Sequence, residues 1–222
     1  MEMDKLHIRS ISDTPIIDTN DNKNTVSGYA FKYGTESQDL GGYIETIEQG
    51  ALTTDILKKS DVFCFINHDE NLVCARRRFD RGKLKLTIDD IGLKYEFQLN
   101  DKSPIHNQLR QYLEDEIITK SSFAFTIDDY EWVNNADGTE YTDENGLHRL
   151  KIKRFAQIFD CSPVFEPAYQ NTSSELRSND SVNSEILDEL NIRKANVNHT
   201  RQNQLDQYYK KIRKKYRIKC TK

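Results

Sequence analysis

The sequence lacks the short motifs that mark several common enzyme classes. It contains no GxSxG nucleophile elbow, no Walker phosphate loop, no GxGxxG turn and no HExxH helix. These absences argue against the enzyme classes that normally carry such signatures. They leave open a site whose groups are far apart in the sequence and meet only in the folded chain, because the order of catalytic residues differs between folds.

Cysteine is scarce, and its spacing suggests no disulfide framework. The four cysteines, Cys64, Cys74, Cys161 and Cys220, form no CxxC pair. Reduced thiols in a cytoplasm are the simplest interpretation. A zinc site at Cys64, His68 and Cys74 is an alternative, but this spacing matches no common site and offers no clear fourth ligand. We therefore expect Cys64 to pack as a small hydrophobic residue, and we expect no metal or organic cofactor.

Long apolar runs are also missing. The segment MEMDKLHIRS has no apolar region of the kind found in signal peptides, and no later stretch approaches the roughly 18 apolar residues of a membrane span. These features predict a soluble, intracellular protein without a membrane partner.

The charge is unevenly distributed. Of the 32 basic and 36 acidic residues, 12 and 6 follow Gln170, so this tail carries +6 and the preceding residues carry -10. The segment QNTSSELRSNDSVNSE is polar like a linker, and LDQYYKKIRKKYRIKC mixes basic with aromatic residues like an exposed helix. We expect a domain over residues 1–172 and a polar linker with a basic helical tail over residues 173–222.

The first 170 residues carry mostly strand patterns. GKLKLTIDDIGLKYEFQL alternates around a turn and predicts a β-hairpin, and SGYAFKY alternates as a strand that HIRSI could pair with. DVFCFINH, SSFAFTIDDYEWV and HRLKIKRFAQIFDCSPVF also read as strands. ALTTDILKKS and SPIHNQLRQYLEDEI predict helices, the second capped by Ser103 with Pro104 in its first position. The pattern indicates a β-rich α+β fold, a barrel or sandwich with peripheral helices.

Three residues at similar places in the predicted strands are of the types used in nucleophilic catalysis. His68, Ser122 and Asp160 each lie in or at the end of a predicted core strand. A serine nucleophile needs a base within hydrogen-bond reach and a third group that orients the base. Taken singly, such residues are more often turn formers, caps or surface groups, so the pattern alone leaves a structural role open.

Five segments, in order, resemble the prohead proteases of tailed bacteriophages, which are similar in fold to the herpesvirus assemblins. The segments span Ser27 to Thr172 and are SGYAFKYGTESQDLGGYIETIEQGAL, DVFCFINHDENLV, GKLKLTIDDIGLKYEFQL, SSFAF and IFDCSPVFEPAYQNT. The resemblance implies a single closed or partly closed antiparallel β-barrel of the assemblin type. It also implies a serine endopeptidase.

The resemblance assigns a role to each candidate residue. It implies that His68 in NHD is the general base, that Ser122 in SSFAF is the nucleophile and that Asp160 in FDCSPV orients the histidine. Ser121 is the alternative nucleophile. The implied substrates are the scaffold, the N-terminal extension of the major capsid protein and the protease itself, inside assembling proheads in the host cytoplasm. Capsid protein and scaffold are thus the expected partners, and self-association stays open.

The chain departs from the family pattern near the nucleophile. Relatives carry a glycine two residues after the nucleophilic serine and another in the preceding turn, where this chain has Ala124 and EDEIITK. Such glycines allow the backbone to approach a substrate closely. Because they are absent here, the family pattern does not assign the oxyanion donors, which are expected to be backbone N–H groups. Arg76 or Arg77 could support an oxyanion, although a solvated basic patch is the simpler interpretation.

Two other classes of function stay open. The departures and the tail would suit a catalytically inactive scaffold or capsid-assembly protein on the same fold. A nucleic-acid-binding barrel would use the basic tail, with Tyr43, Tyr95, Tyr130 and Trp132 as a stacking platform. The acidic body makes nucleic acid a less favoured partner, and aromatic residues in alternating strands usually belong to the core.

Overall fold

A computed structural model describes residues 6–11, 14–18, 24–165 and 184–216. The strands in this part of the chain are β1 (His7–Ile11), β2 (Ile16–Asp18), β3 (Thr25–Lys32), β4 (Tyr43–Ile47), β5 (Asp61–Ile66), β6 (Asp69–Arg78), β7 (Arg81–Gly82), β8 (Lys85–Ile88), β9 (Gly92–Gln98), β10 (Ile118–Trp132) and β11 (His148–Phe165). The helices are α1 (Thr54–Lys59), α2 (Pro104–Glu114) and α3 (Ser184–Tyr216).

Local sequence signals account for the elements that were expected. The β8–β9 hairpin turns where Asp89 Oδ1 accepts the N–H groups of Ile91 and Gly92, both at 2.9 Å. Helix α2 begins at Pro104, and the Ser103 hydroxyl caps it by accepting the N–H of His106. The predicted hairpin, both predicted helices and the long strands β10 and β11 are therefore confirmed.

The larger sheet is organised around its two longest strands. Strands β10 and β11 pair antiparallel from Ile118 opposite Phe165 to Trp132 opposite Leu150. Strand β1 lies antiparallel on the outer edge of β10, whereas β4 and β5 lie parallel to β11 on its other edge. Strands β6 and β7 continue the sheet beyond β5. Strand β11 is thus paired with three other strands of the sheet.

The β-rich α+β class is confirmed, but the closed or partly closed barrel is wrong. The second sheet has the order β2, β3, β9, β8, and neither sheet closes on itself within the described residues. Hydrogen bonding ends at β1 and β7 in one sheet and at β2 and β8 in the other. The sheets meet through side chains instead, as in face-to-face packing.

Aromatic rings fill the space between the sheets. Phe31 on β3 packs against Phe123 on β10 and Phe155 on β11, with ring centroids 5.1 and 5.3 Å apart. Gly28 on β3 leaves room for the Tyr95 side chain of the paired strand β9, because a Cβ there would lie 2.8 Å from the Tyr95 hydroxyl oxygen. The core therefore requires small and large residues at fixed positions on facing strands.

The partner expected for the HIRSI strand is wrong. This segment is β1, and it pairs with β10, placing Ser10 opposite Ser122, while β2 takes the position beside β3. Two side-chain contacts stabilise this position. The Arg9 side chain reaches Glu45 on β4, and the His7 ring stacks on Phe125 at 5.3 Å.

Helix α3 begins on the surface of the larger sheet. Ile186 and Leu190 are buried in the common core, and Trp132 Nε1 donates to Glu189 Oε2 at 2.6 Å. Farther along, the Lys194 ammonium donates to the Gly41 carbonyl at 2.9 Å. The segment LDQYYKKIRKKYRIKC, expected to be helical, lies in this helix as far as Tyr216. The expected boundary between residues 172 and 173 falls outside the described residues.

Replacing Leu190 should destabilise the whole domain. Because the side chain is 1% exposed, Leu190→Ala should lower the free energy of unfolding by about 2–5 kcal/mol through lost burial and a cavity. Urea unfolding followed by tryptophan fluorescence measures the change. Ile192→Ala is the matched control, since Ile192 is 61% exposed on the same helix. Equal midpoints for both variants would contradict the docking of α3.

Candidate active site

The side chains of the two adjacent serines of β10 lie on opposite faces of the sheet. Successive side chains of a strand point to opposite faces. The Ser121 hydroxyl lies 2.9 Å from the Tyr95 hydroxyl between the sheets, whereas Ser122 Oγ lies 2.7 Å from His68 Nε2. The geometry therefore favours Ser122 over Ser121 as the candidate nucleophile.

His68 is presented by a tight turn between β5 and β6. Asn67 and His68 both have left-handed backbone conformations, with φ of 54° and 59°, as a two-residue hairpin turn requires. A left-handed histidine is uncommon and costs some backbone strain. The Asn67 N–H donates to the Pro163 carbonyl at 2.9 Å, which ties the turn to β11. This anchoring holds the imidazole ring over Ser122.

Asp160 lies on the other side of the imidazole. Its Oδ1 is 2.8 Å from His68 Nδ1, although the Nδ1–H direction is not aligned with the oxygen as in a well-formed hydrogen bond. Such contacts are often poorly aligned in free enzymes and tighten in complexes. Both residues are largely buried. The three predicted site residues thus lie within contact distance in the order Ser122, His68, Asp160.

Ser162 is a fourth member of the cluster that the sequence analysis missed. Its hydroxyl donates to Asp160 Oδ1 at 2.8 Å and accepts the backbone N–H of Phe65 at 3.2 Å. These bonds fix the carboxylate against β5. A signal was present in FDCSPV, because residues two apart on a strand share a face.

Strand register brings the cluster together. Ser122 is paired with Ser162, the next residue on the same face of β10 is Ala124, and Ala124 is paired with Asp160. Directly paired residues of antiparallel strands have their side chains on one face, close enough to touch. Strand β5 joins β11 at Asp160 and leads into the turn that carries His68.

A cavity of about 480 Å³ adjoins His68. Its wall includes Asn67 and His68 together with Ile8–Ile11 of β1, but it does not include Ser122. A buried ion pair lines it as well, with Arg9 Nε 2.5 Å from Glu45 Oε1. Burial opposes the charge of Arg9, but Glu45 outweighs this effect and raises the arginine pKa. The cavity surface is therefore mainly apolar, and its charged lining consists of this neutralised pair together with Lys32, Glu36 and Lys120.

The two arginines considered as oxyanion donors are held by aspartates. Arg76 donates to Asp61 and stacks over Phe63, and Arg77 donates to Asp80 at 2.6 Å. Neither lines the cavity beside His68.

The three described cysteines are buried thiols. Within the described part of the chain, no group of three or more His, Cys, Asp or Glu side chains is arranged to hold a metal ion. Burial raises the pKa of Cys64 and Cys161 well above the ordinary thiol value and raises that of Cys74 to about 12. Cys220 lies outside the described residues.

The aromatic residues considered as a stacking platform are mainly internal, with Tyr43, Tyr95 and Trp132 in the core.

Comparison with protein families identifies the chain. A family model described as the caudovirus prohead serine protease matches residues 11–185, which is more than half of the chain. The chain belongs to this family. The prohead protease resemblance seen in the sequence is therefore confirmed. Searches of curated proteins and of solved structures returned no match.

Membership of the prohead serine protease family fixes the broad function. The family indicates a serine peptidase, and a prohead protease implies interaction with phage capsid proteins in proheads assembling in the host cell. Among the described helices, none is long and apolar enough to cross a membrane.

The buried thiols of this family member should resist alkylation. Raised pKa values lower the thiolate fraction at pH 8, and burial blocks access, so iodoacetamide should modify Cys64, Cys74 and Cys161 only when the protein unfolds. Mass spectrometry of a Cys220→Ser variant, with and without urea, counts the modified thiols. Rapid labelling of any of the three without urea would contradict the burial of that thiol.

Proposed function

We propose that this chain is a capsid-maturation endopeptidase in which Ser122 is the nucleophile, His68 the general base and Asp160 the orienting acid. The observation that carries the proposal is the 2.7 Å separation of His68 Nε2 and Ser122 Oγ. Family membership supplies the reaction class. The 2.8 Å approach of Asp160 to Nδ1 supports the third role.

The proposed reaction depends on proton transfer between Ser122 and His68. As Ser122 Oγ attacks the scissile carbonyl carbon, its proton passes to His68 Nε2, and the resulting imidazolium is stabilised by the Asp160 carboxylate. His68 then gives this proton to the leaving amine, which departs as the acyl-enzyme forms. A water molecule, deprotonated by His68, then attacks the ester carbonyl carbon, and His68 returns this proton to Ser122 Oγ as the acyl group leaves as the new carboxylic acid. Backbone N–H groups are expected to hold the oxyanion, and no cofactor enters the sequence.

The proposed substrates are the scaffold, the N-terminal extension of the major capsid protein and the protease itself. All three offer extended chain segments, and exposed, unpaired backbone is what a protease can reach. The basic tail would concentrate the enzyme near acidic partner surfaces, which would raise the local substrate concentration.

An inactive scaffold on the same fold is the rival, favoured by Ala124 at a position where relatives have glycine. It predicts no change in the capsid protein on co-expression. The buried His68 and Asp160 weigh against it, because an inert fold gains little from burying an ionisable pair.

Substitutions at the triad should separate these two functions. With the cognate capsid protein co-expressed, Ser122→Ala and His68→Ala should each lower the cleavage rate by at least about a thousandfold, because the two groups act as a unit. Asp160→Ala should retain more activity, since the base is still present. Shortened products on gels, with cleavage sites assigned by mass spectrometry, measure the loss.

Ser121→Ala is the matched control. It removes the same atom from the neighbouring residue, which faces Tyr95 instead of His68. It should cost about 1 kcal/mol of stability and leave cleavage within about threefold of the unmodified chain. Loss of activity only in Ser121→Ala, or full activity in His68→Ala, would overturn the assignment.

A further inference from the structure

The Ser122 hydroxyl has two neighbours that compete for its single proton. Besides His68 Nε2 at 2.7 Å, the backbone carbonyl oxygen of Arg9 on β1 lies 2.8 Å from Ser122 Oγ and accepts its hydrogen bond. A hydroxyl donates only one hydrogen bond. When the proton points at the Arg9 carbonyl, it is not shared with the base.

The alternative proton position is unfavourable while β1 is in place. If Ser122 donates to His68, two oxygen atoms, Ser122 Oγ and Arg9 O, face each other at 2.8 Å without a proton between them. Strand β1 therefore stabilises the arrangement in which the hydroxyl is turned away from its base.

Strand β1 also closes off Ser122. The serine side chain is fully buried and is absent from the wall of the cavity, although His68 and Ile8–Ile11 of β1 line it. An acyl group on Oγ needs space beside that oxygen, and Arg9 O, at 2.8 Å, occupies part of it. A peptide in the cavity can thus reach the base but not the nucleophile.

The position of β1 is one that an extended peptide could take. Strand β1 is an edge strand of five residues, antiparallel to β10 from His7 opposite Phe125 to Ile11 opposite Ser121. Any extended chain laid on the same edge can make equivalent backbone hydrogen bonds, since these do not depend on side chains. Exchange of one strand for another would conserve most of the pairing.

We propose that the edge of β10 at residues 121–125 is the binding site for an extended peptide substrate, and that β1 is its resident inhibitor. This inference rests on the proposed function of Ser122. Substrate binds when β1 leaves the edge, which frees the hydroxyl proton for His68 and opens the space around Oγ.

The Arg9–Glu45 ion pair sets how readily β1 leaves. The two side chains are 7% and 4% exposed, and separating them would leave Glu45 buried without its partner unless water enters. The inhibited arrangement is therefore the resting state, and only the fraction of molecules with β1 displaced can react.

A disulfide that holds β1 on β10 tests the proposal. Ile8 and Ala124 are directly paired, so Ile8→Cys with Ala124→Cys places two thiols at a distance suited to a disulfide. Thr87→Cys with Lys94→Cys makes the equivalent bridge across the β8–β9 hairpin of the other sheet and serves as the control. All variants, full length, carry Cys220→Ser.

The readout is labelling of Ser122 by a fluorophosphonate probe, located by mass spectrometry. Oγ bonds to phosphorus, fluoride leaves and the hydroxyl proton passes to His68. Oxidation of the Ile8–Ala124 variant should slow labelling by at least about tenfold, and reduction should restore it. The control pair should label equally in both states. Equal rates for the oxidised and reduced β1 variant would overturn the inference and leave a substrate that binds with β1 in place.

Failure of the proposed function looks different, because the unmodified chain would then show no labelling at Ser122 at all, and the inference would fall with it. A measurement on the unmodified chain covers the case in which the cysteine pair disturbs folding. Hydrogen–deuterium exchange at residues 7–11 should become faster once Ser122 is phosphonylated, with exchange in β8 and β9 unchanged. Unaltered protection of β1 in the labelled protein would refute its displacement.

Discussion

The pairing register of β10 and β11 is the constraint on which the site and the core both depend. With Ser122 opposite Ser162 and Ala124 opposite Asp160, one face of the ladder carries the polar cluster. The other face carries the Phe123 ring that meets the second sheet. A slip of one residue in either strand would exchange these faces, placing the polar cluster against the aromatic core and the rings where the cluster now lies. The hydrophobic core therefore enforces the register that the polar cluster needs.

Strand β1 connects the nucleophile to a second buried polar system. Its Arg9 uses the side chain to pair with Glu45 and the backbone carbonyl to contact Ser122 Oγ. Buried ion pairs add little net stability, since desolvation offsets most of their attraction, but they discriminate strongly against alternatives that leave one charge unpaired. The pair thus specifies where β1 lies more than it adds to the stability of the fold. It makes the surroundings of Ser122 sensitive to a strand far from it in the sequence.

The sequence predicted what local patterns encode and missed what depends on distant partners. Alternation identified the strands around Leu93 and Ser122, and the Ser103 cap identified α2, because these signals act within a few residues. The partner of β1 and the open sheets depend on contacts between strands far apart in the chain, and the nearest strand was a poor guide to pairing. Ser162 was missed because its role appears only when Asp160 needs a donor. The proximity of His68, Ser122 and Asp160 followed from family resemblance, since their spacing alone carries no such information.

The central place of β11 in the larger sheet has a consequence for synthesis. This strand supplies the pairing partner of β10 and the parallel neighbour of both β4 and β5, yet its last residue is Phe165. Until the ribosome has released that segment, the preceding strands lack their common neighbour, and the polar cluster lacks its carboxylate. The polar cluster of a nascent chain can therefore form only after translation has passed Phe165, so connectivity alone delays its assembly.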